Sequence, residues 1–77
     1  MVVSVMDLEE GKTAKIVEIL GGCGVQNQLR SIGILEGKDI AVVTHHPFKG
    51  PVVVMVDGKM ISLGRGLACR IMVDLTW

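Results

Sequence analysis

Two histidines and two cysteines are the side chains of this sequence best able to bind a metal ion. His45 and His46 are adjacent, whereas Cys23 and Cys69 stand far apart. Neighbouring residues of an extended segment project to opposite sides, so both imidazoles cannot easily reach one ion. Structural zinc requires four ligands in compact pairs, and this spacing does not supply them. The sequence therefore predicts no metal site and no cofactor. An alternative stays open, in which His45 or His46 binds Fe²⁺ across an interface between copies.

The two cysteines also lack a redox motif, since neither belongs to a Cys-x-x-Cys pair. A chain with only Cys23 and Cys69 is more typical of a reducing compartment than of a disulfide framework. We expect both thiols to be free and buried.

Glycine-rich segments resemble phosphate-binding loops without matching them. Gly22 and Gly24 begin a dinucleotide fingerprint, but Asn27 occupies the third glycine position. Residues 33–38 have three residues between the glycines instead of four, and Asp39 replaces the hydroxyl that binds magnesium. No serine lies in a Gly-x-Ser-x-Gly motif, and there is no tyrosine. We therefore expect turn glycines and no enzymatic activity.

Composition restricts the partners and the compartment. Eight basic and eight acidic residues give a net charge of +0, which does not favour nucleic acid. The longest uncharged apolar run, 52–56, falls far short of the roughly 20 residues that a membrane-spanning helix needs. The N-terminus lacks the features of a secretory signal. We expect a cytoplasmic protein without membrane insertion. Zero net charge also promotes self-association, so a homo-oligomer is possible.

Five short apolar segments predict β-strands. β-branched residues are frequent in them, and the Asp57-Gly58 pair between two of them predicts a type I′ hairpin turn. In the first strand, alternation would place Ala14, Ile16 and Glu18 on one face. Short antiparallel strands hide their edges most simply by closing into a small barrel. The five segments are 13–20, 38–44, 52–56, 59–63 and 70–75.

A short helix is predicted after the first strand. Val25, Leu29 and Ile32 recur at the spacing of one helical stripe, and Gly33 is a suitable C-terminal cap. Such a helix has about two turns, too few to persist alone, so packing must stabilise it.

The order of these motifs resembles the FeoA family. The resemblance is carried by Gly21-Gly22-Cys23-Gly24-Val25, Leu29, Ile32-Gly33-Ile34, Glu36-Gly37, Ile61-Ser62-Leu63, Arg65-Gly66, Ala68, Arg70-Ile71 and Val73. It extends from about Val5 to Val73. It implies one domain over residues 1–77, an all-β, SH3-like five-strand barrel with a short helix inserted after the first strand.

The resemblance also implies a function. The chain would be a small cytoplasmic accessory or regulatory protein of FeoB, the GTPase-linked ferrous-iron permease of the membrane. It would act by protein-protein interaction and without catalysis. The alternative, motivated by His45 and His46, is a carrier of Fe²⁺ or a metal-sensing module.

Candidate partner contacts lie on the helix and on the third strand. On the predicted helix, we expect the exposed part to carry Gln26, Leu29 or its neighbours, and Arg30. Val53 and Met55 belong to an apolar strand of which about half must face outward. Exposed contiguous apolar surface in a small protein marks an interaction site.

Overall fold

A computed structural model of the chain describes residues 1–45 and 50–75. Part of the predicted loop after the second strand, including His46, lies outside the described residues. The elements in chain order are β1 (Val2–Ser4), a 3-10 turn (Val5–Asp7), β2 (Thr13–Ile19), α1 (Cys23–Ser31), β3 (Asp39–His45), β4 (Val52–Val56), β5 (Lys59–Leu63), α2 (Arg65–Ala68) and β6 (Ile71–Asp74).

All strand pairs are antiparallel in one sheet of order β1-β6-β2-β3-β4-β5. The all-β class with a short helix between strands is confirmed, but the expected number of five strands is wrong. The additional strand, β1, pairs Val2 with Asp74 and Val3 with Val73 of β6. A strand of three residues carries almost no local pattern. It forms because β6, near the C-terminal end of the described residues, lies beside it.

The core consists of aliphatic side chains from every strand except β1, from both helices, and from the 3-10 turn and loops, and it contains no buried polar residue among those described. Strand β4 shows the alternation clearly, since Val52, Val54 and Val56 are buried while Met55 is exposed. The buried residues are Val5, Leu8, Ala14, Ile16, Ile19, Leu29, Ile34, Ile40, Val42, Val52, Val54, Val56, Leu63, Ala68, Ile71 and Val73.

A β-bulge changes which residues of β2 face the core. The register between β2 and β6 shifts between Ile16 and Glu18, and one extra residue reverses the alternation beyond it. Ile19 is therefore buried with Ala14 and Ile16, and Glu18 is exposed. The expectation that Glu18 shares their face is wrong for this reason.

The hairpin between β4 and β5 has the predicted turn. Asp57 has φ 54° and Gly58 has φ 77°, and a type I′ turn requires positive φ at both central residues. The ladder runs without a register shift from Val56 opposite Lys59 to Val52 opposite Leu63. This turn fixes the register of the whole hairpin.

Candidate interaction surface

The glycine junction before α1 is held against the segment before β6. Gly21 has φ 113°, and a Cβ built on it would lie 2.8 Å from Arg70 Nη1 and 3.3 Å from the Val25 side chain. The Leu20 N–H also donates to the Arg70 carbonyl at 2.7 Å. Glycine is favoured here mainly by its dihedral, because the Arg70 guanidinium is the end of a flexible side chain, whereas the Val25 side chain at 3.3 Å leaves little room for a Cβ.

Gln26 connects the start of α1 to this junction. Its Nε2 donates to the carbonyl oxygens of Ile19 at 3.3 Å and Gly21 at 3.1 Å. The cap residue Gly22 has no side chain to accept hydrogen bonds from the first amides of α1. The two bonds from the Gln26 side chain link the helix to the junction by a different route. Gln26 is half-buried, and its predicted contact with a partner stays a prediction.

The C-terminus of α1 ends as a Schellman motif. The Gly33 N–H donates to the Arg30 carbonyl and the Ile34 N–H to the Leu29 carbonyl, both at 3.0 Å, as this motif requires. Gly33 has φ 96°, so the predicted cap is confirmed. Leu29 and Ile34 are both fully buried, which supplies the apolar contact that accompanies such caps.

Leu29 was expected on the exposed part of the helix, and that expectation is wrong. Its side chain has 0% exposure because it is the residue through which α1 enters the core. Ile32, predicted as the last member of the same helical stripe, follows the helix and is exposed. Arg30 is exposed and forms an ion pair with Glu36 at 2.9 Å. The outward side of α1 is therefore polar, and Arg30 stays a predicted contact.

A second face consists of exposed or half-buried apolar residues on β3, β4 and β5. We call Val43, Val53, Met55 and Met60 the strand surface. Met55 is 38% exposed and lies opposite Met60, which is 61% exposed. Val53 is half-buried in the next row. Both predicted contacts of β4 thus face outward, although their contact with a partner stays a prediction.

Met60 and Val43 were missed in the sequence. The signal for Met60 was present, because a two-residue turn at 57–58 places it opposite Met55. Val43 could not be assigned in this way, because a register shift between Val42 and Thr44 changes which residues of β3 point outward.

The residues suited to metal or redox chemistry lie in unexpected places. Cys23 and Cys69 are free, as expected, but both are exposed, Cys23 as the first residue of α1 and Cys69 as the C-cap of α2. Nε2 of His45 lies 2.9 Å from the Leu8 carbonyl oxygen. Within residues 1–45 and 50–75 no three His, Cys, Asp or Glu side chains group as a metal site. The Fe²⁺ alternative, which also involves His46, stays a prediction.

The fold belongs to the class of SH3-like domains. A Stenotrophomonas maltophilia FeoA solved in complex with zinc, and described as an SH3 domain protein, superposes with a TM-score of 0.79. The two are 21% identical over 94% of this chain and 89% of that one. Across the described parts of the chain no helix has the length and apolar character needed to span a membrane.

The chain belongs to the FeoA family. The FeoA domain model matches residues 3–75. A Methanocaldococcus jannaschii protein, provisionally named Fe(2+) transport protein A, is 38% identical over 66 residues, 86% of this chain and 78% of that protein. The crystal structure of an iron uptake regulatory protein, FeoA, matches with a TM-score of 0.86, 35% identity and 96% coverage of both chains. The resemblance read from the motifs is confirmed. The family is associated with ferrous iron transport and is not a known enzyme family.

Proposed function

We propose that this chain is a cytoplasmic, non-enzymatic accessory or regulatory protein of a FeoB-type ferrous-iron permease. It acts as a single domain over residues 1–77 by contacting the cytosolic part of that transporter. Membership of the FeoA family supports the transport context. The observation that supports an interaction mechanism is the pair of exposed methionines, Met55 and Met60, side by side on the strand surface.

The physical reason is that exposed apolar side chains gain free energy when a partner covers them, at roughly 25 cal/mol per Å². Methionine is flexible and adapts to an irregular partner surface. The polar outward side of α1, with Gln26 and Arg30, supplies hydrogen-bonding groups at a second position. Leu29 contributes only by fixing the helix that carries them.

The test is a calorimetric titration of this chain into the purified cytosolic GTPase domain of the permease from the same organism. We expect saturable binding, with Met55→Lys weakening it by about tenfold, or 1.4 kcal/mol. Val17→Lys is the matched control, since Val17 is 40% exposed but lies on β2, outside the strand surface. No binding by the unmodified chain at roughly 100 μM would refute the proposal. Equal losses from Met55→Lys and Val17→Lys would exclude the strand surface as the contact.

A further inference from the structure

The outer edge of β5 is a hydrogen-bonding surface that no other strand in the described part of the chain pairs with. In a hairpin with a two-residue turn, the residues that flank the turn exchange both backbone hydrogen bonds, and bonded pairs alternate from there. Val56 and Lys59 flank this turn. Lys59, Ile61 and Leu63 therefore bond to β4, while Met60 and Ser62 direct their N–H and C=O groups away from it.

These outward groups have no partner among residues 1–45 and 50–75. Strand β5 is the last strand in the sheet order, and no backbone bond from Met60 or Ser62 reaches another segment. The opposite edge strand, β1, has three residues against five in β5. The two outward residues of β5 offer two donors and two acceptors at the spacing of a regular strand, which is a template for an added strand.

Two exposed cations flank this edge. Lys59 begins β5 and Arg65 follows its end, and both are exposed. Neither forms an ion pair within the described part of the chain, whereas the nearby Lys38 is paired with Asp57 at 2.8 Å. Lys59 and Arg65 are six positions apart in the sequence, and Arg65 lies just beyond the strand, as the first residue of α2. A partner strand complementary to this edge would carry an acidic residue near each end.

We propose that the β5 edge, residues 59–63, with Arg65 just beyond its end, binds an extended segment of a partner protein by strand addition. The segment has alternating apolar residues between two acidic ends about six residues apart. The main-chain groups of Met60 and Ser62 supply the hydrogen bonds, Lys59 and Arg65 select the acidic ends, and Met60 packs against the apolar side chains. Strand addition to an exposed edge is an established mode of peptide recognition.

A second copy of this chain fits the edge less well. In an antiparallel pair of two β5 strands centred on Ile61, Lys59 of one copy lies opposite Leu63 of the other. Arg65 of the second copy, two residues beyond that Leu63 at the start of α2, then brings a like charge to the same end of the pair. The same repulsion occurs at both ends of the pair, because the arrangement is symmetric.

The first test uses a designed peptide. The probe is an acetylated, amidated seven-residue peptide with glutamate at both ends and alternating valine and threonine between them. Amide hydrogen exchange of the full chain is followed by NMR as the peptide is added. We expect exchange at Met60 and Ser62 to slow by about tenfold at a peptide concentration of ten times the Kd. Unchanged exchange at both residues, or protection confined to β1, would overturn the proposal.

Ser62→Pro tests the outward hydrogen bonds of β5 most directly. It removes an outward N–H and no bond to β4, and proline is tolerated on an edge strand. We expect the peptide to bind at least about tenfold more weakly to Ser62→Pro, while Ser62→Thr, which keeps the N–H, binds normally. Wild-type affinity in a folded Ser62→Pro protein would refute strand addition.

A separate charge-reversal variant tests whether Lys59 and Arg65 select a partner segment with acidic ends. A double variant, Lys59→Glu with Arg65→Glu, should lose the glutamate-ended peptide and bind the same peptide with lysine ends. Unchanged preference would overturn the role of the two cations. Sedimentation showing dimers that dissociate in Ser62→Pro, without added peptide, would identify the occupant as a second copy and contradict the proposal.

This inference rests on the proposed function for its biological partner, but the peptide assays need no transporter. Peptide binding without binding to the permease domain would refute the proposed function alone. Permease binding that Ser62→Pro leaves intact, together with failed peptide assays, would refute strand addition alone.

Discussion

Truncation of Leu29 tests the argument that α1 is held by one buried side chain. Helix α1 has nine residues, below the roughly 12–15 at which an isolated helix becomes stable even in alanine-rich sequences. Leu29 is its only buried residue, and Val25 is only partly buried. The packing of Leu29 must therefore supply most of the free energy that keeps the helix folded.

The expected loss in the free energy of unfolding follows from the burial of Leu29. A fully buried leucine replaced by alanine costs about 2–5 kcal/mol, and Leu29 lies beside the buried Ile34 of the Schellman motif, where backbone hydrogen bonds restrict collapse of the cavity. We expect Leu29→Ala to cost about 3 kcal/mol. For a domain of this size, each kcal/mol lowers Tm by about 4–8 °C, so Tm should fall by about 12–24 °C.

The assay is urea denaturation followed by circular dichroism, with thermal melting as a second measurement. Gln28→Ala is the matched control, since Gln28 is exposed one residue earlier in α1, and it should change stability by less than about 0.5 kcal/mol. A loss below about 1 kcal/mol for Leu29→Ala would refute the anchoring role. Weaker permease binding at unchanged stability would restore Leu29 as a partner contact.

Two further predictions concern the glycine junction and the thiols. Gly21→Ala should cost about 1–3 kcal/mol in urea denaturation, because a φ of 113° is strained for a residue with a Cβ and the Val25 side chain lies 3.3 Å from the position that the Cβ would take. Gly24→Ala, in open space inside α1, should instead stabilise by up to about 1 kcal/mol, and equal effects of the two changes would contradict the reasoning. Cys23 and Cys69 should both react with a chromogenic disulfide reagent without denaturant, since both are exposed. A native protein whose thiols react only after unfolding would contradict the structure.

The parts of the fold that were predictable from sequence depend on local chemistry. The Asp57-Gly58 turn specifies its own dihedrals, and through them the register of β4 against β5. Gly33 ends α1 because a left-handed residue is needed directly after the helix. Each signal involves residues close in sequence, so no knowledge of distant segments was required.

The wrong expectations depend on distant segments. Strand β1 exists because β6 offers it an edge, and the burial of Ile19 in place of Glu18 depends on a bulge against β6. Cys23 and Cys69, expected to be buried, are exposed at the start of α1 and at the C-cap of α2. Leu29 is a different case. It belongs to the apolar stripe of an amphipathic helix, which normally faces the core, so its burial was predictable from the pattern alone.

The buried anchor of α1 and the exposed edge of β5 respond to different substitutions, so the proposed binding at the edge can be tested separately from the stability of the core. Leu29 fixes α1 from inside, so truncating it alters the fold and every surface that depends on the helix. Met60 and Ser62 face away from the core on an edge strand, where substitution leaves the packing of β4 against β3 intact. A partner that binds only the native edge must stabilise the domain, by about 2.7 kcal/mol at one hundred times the Kd. Such stabilisation by the glutamate-ended peptide, present in Ser62→Thr and absent in Ser62→Pro, would connect the edge of β5 to binding without any change in the core.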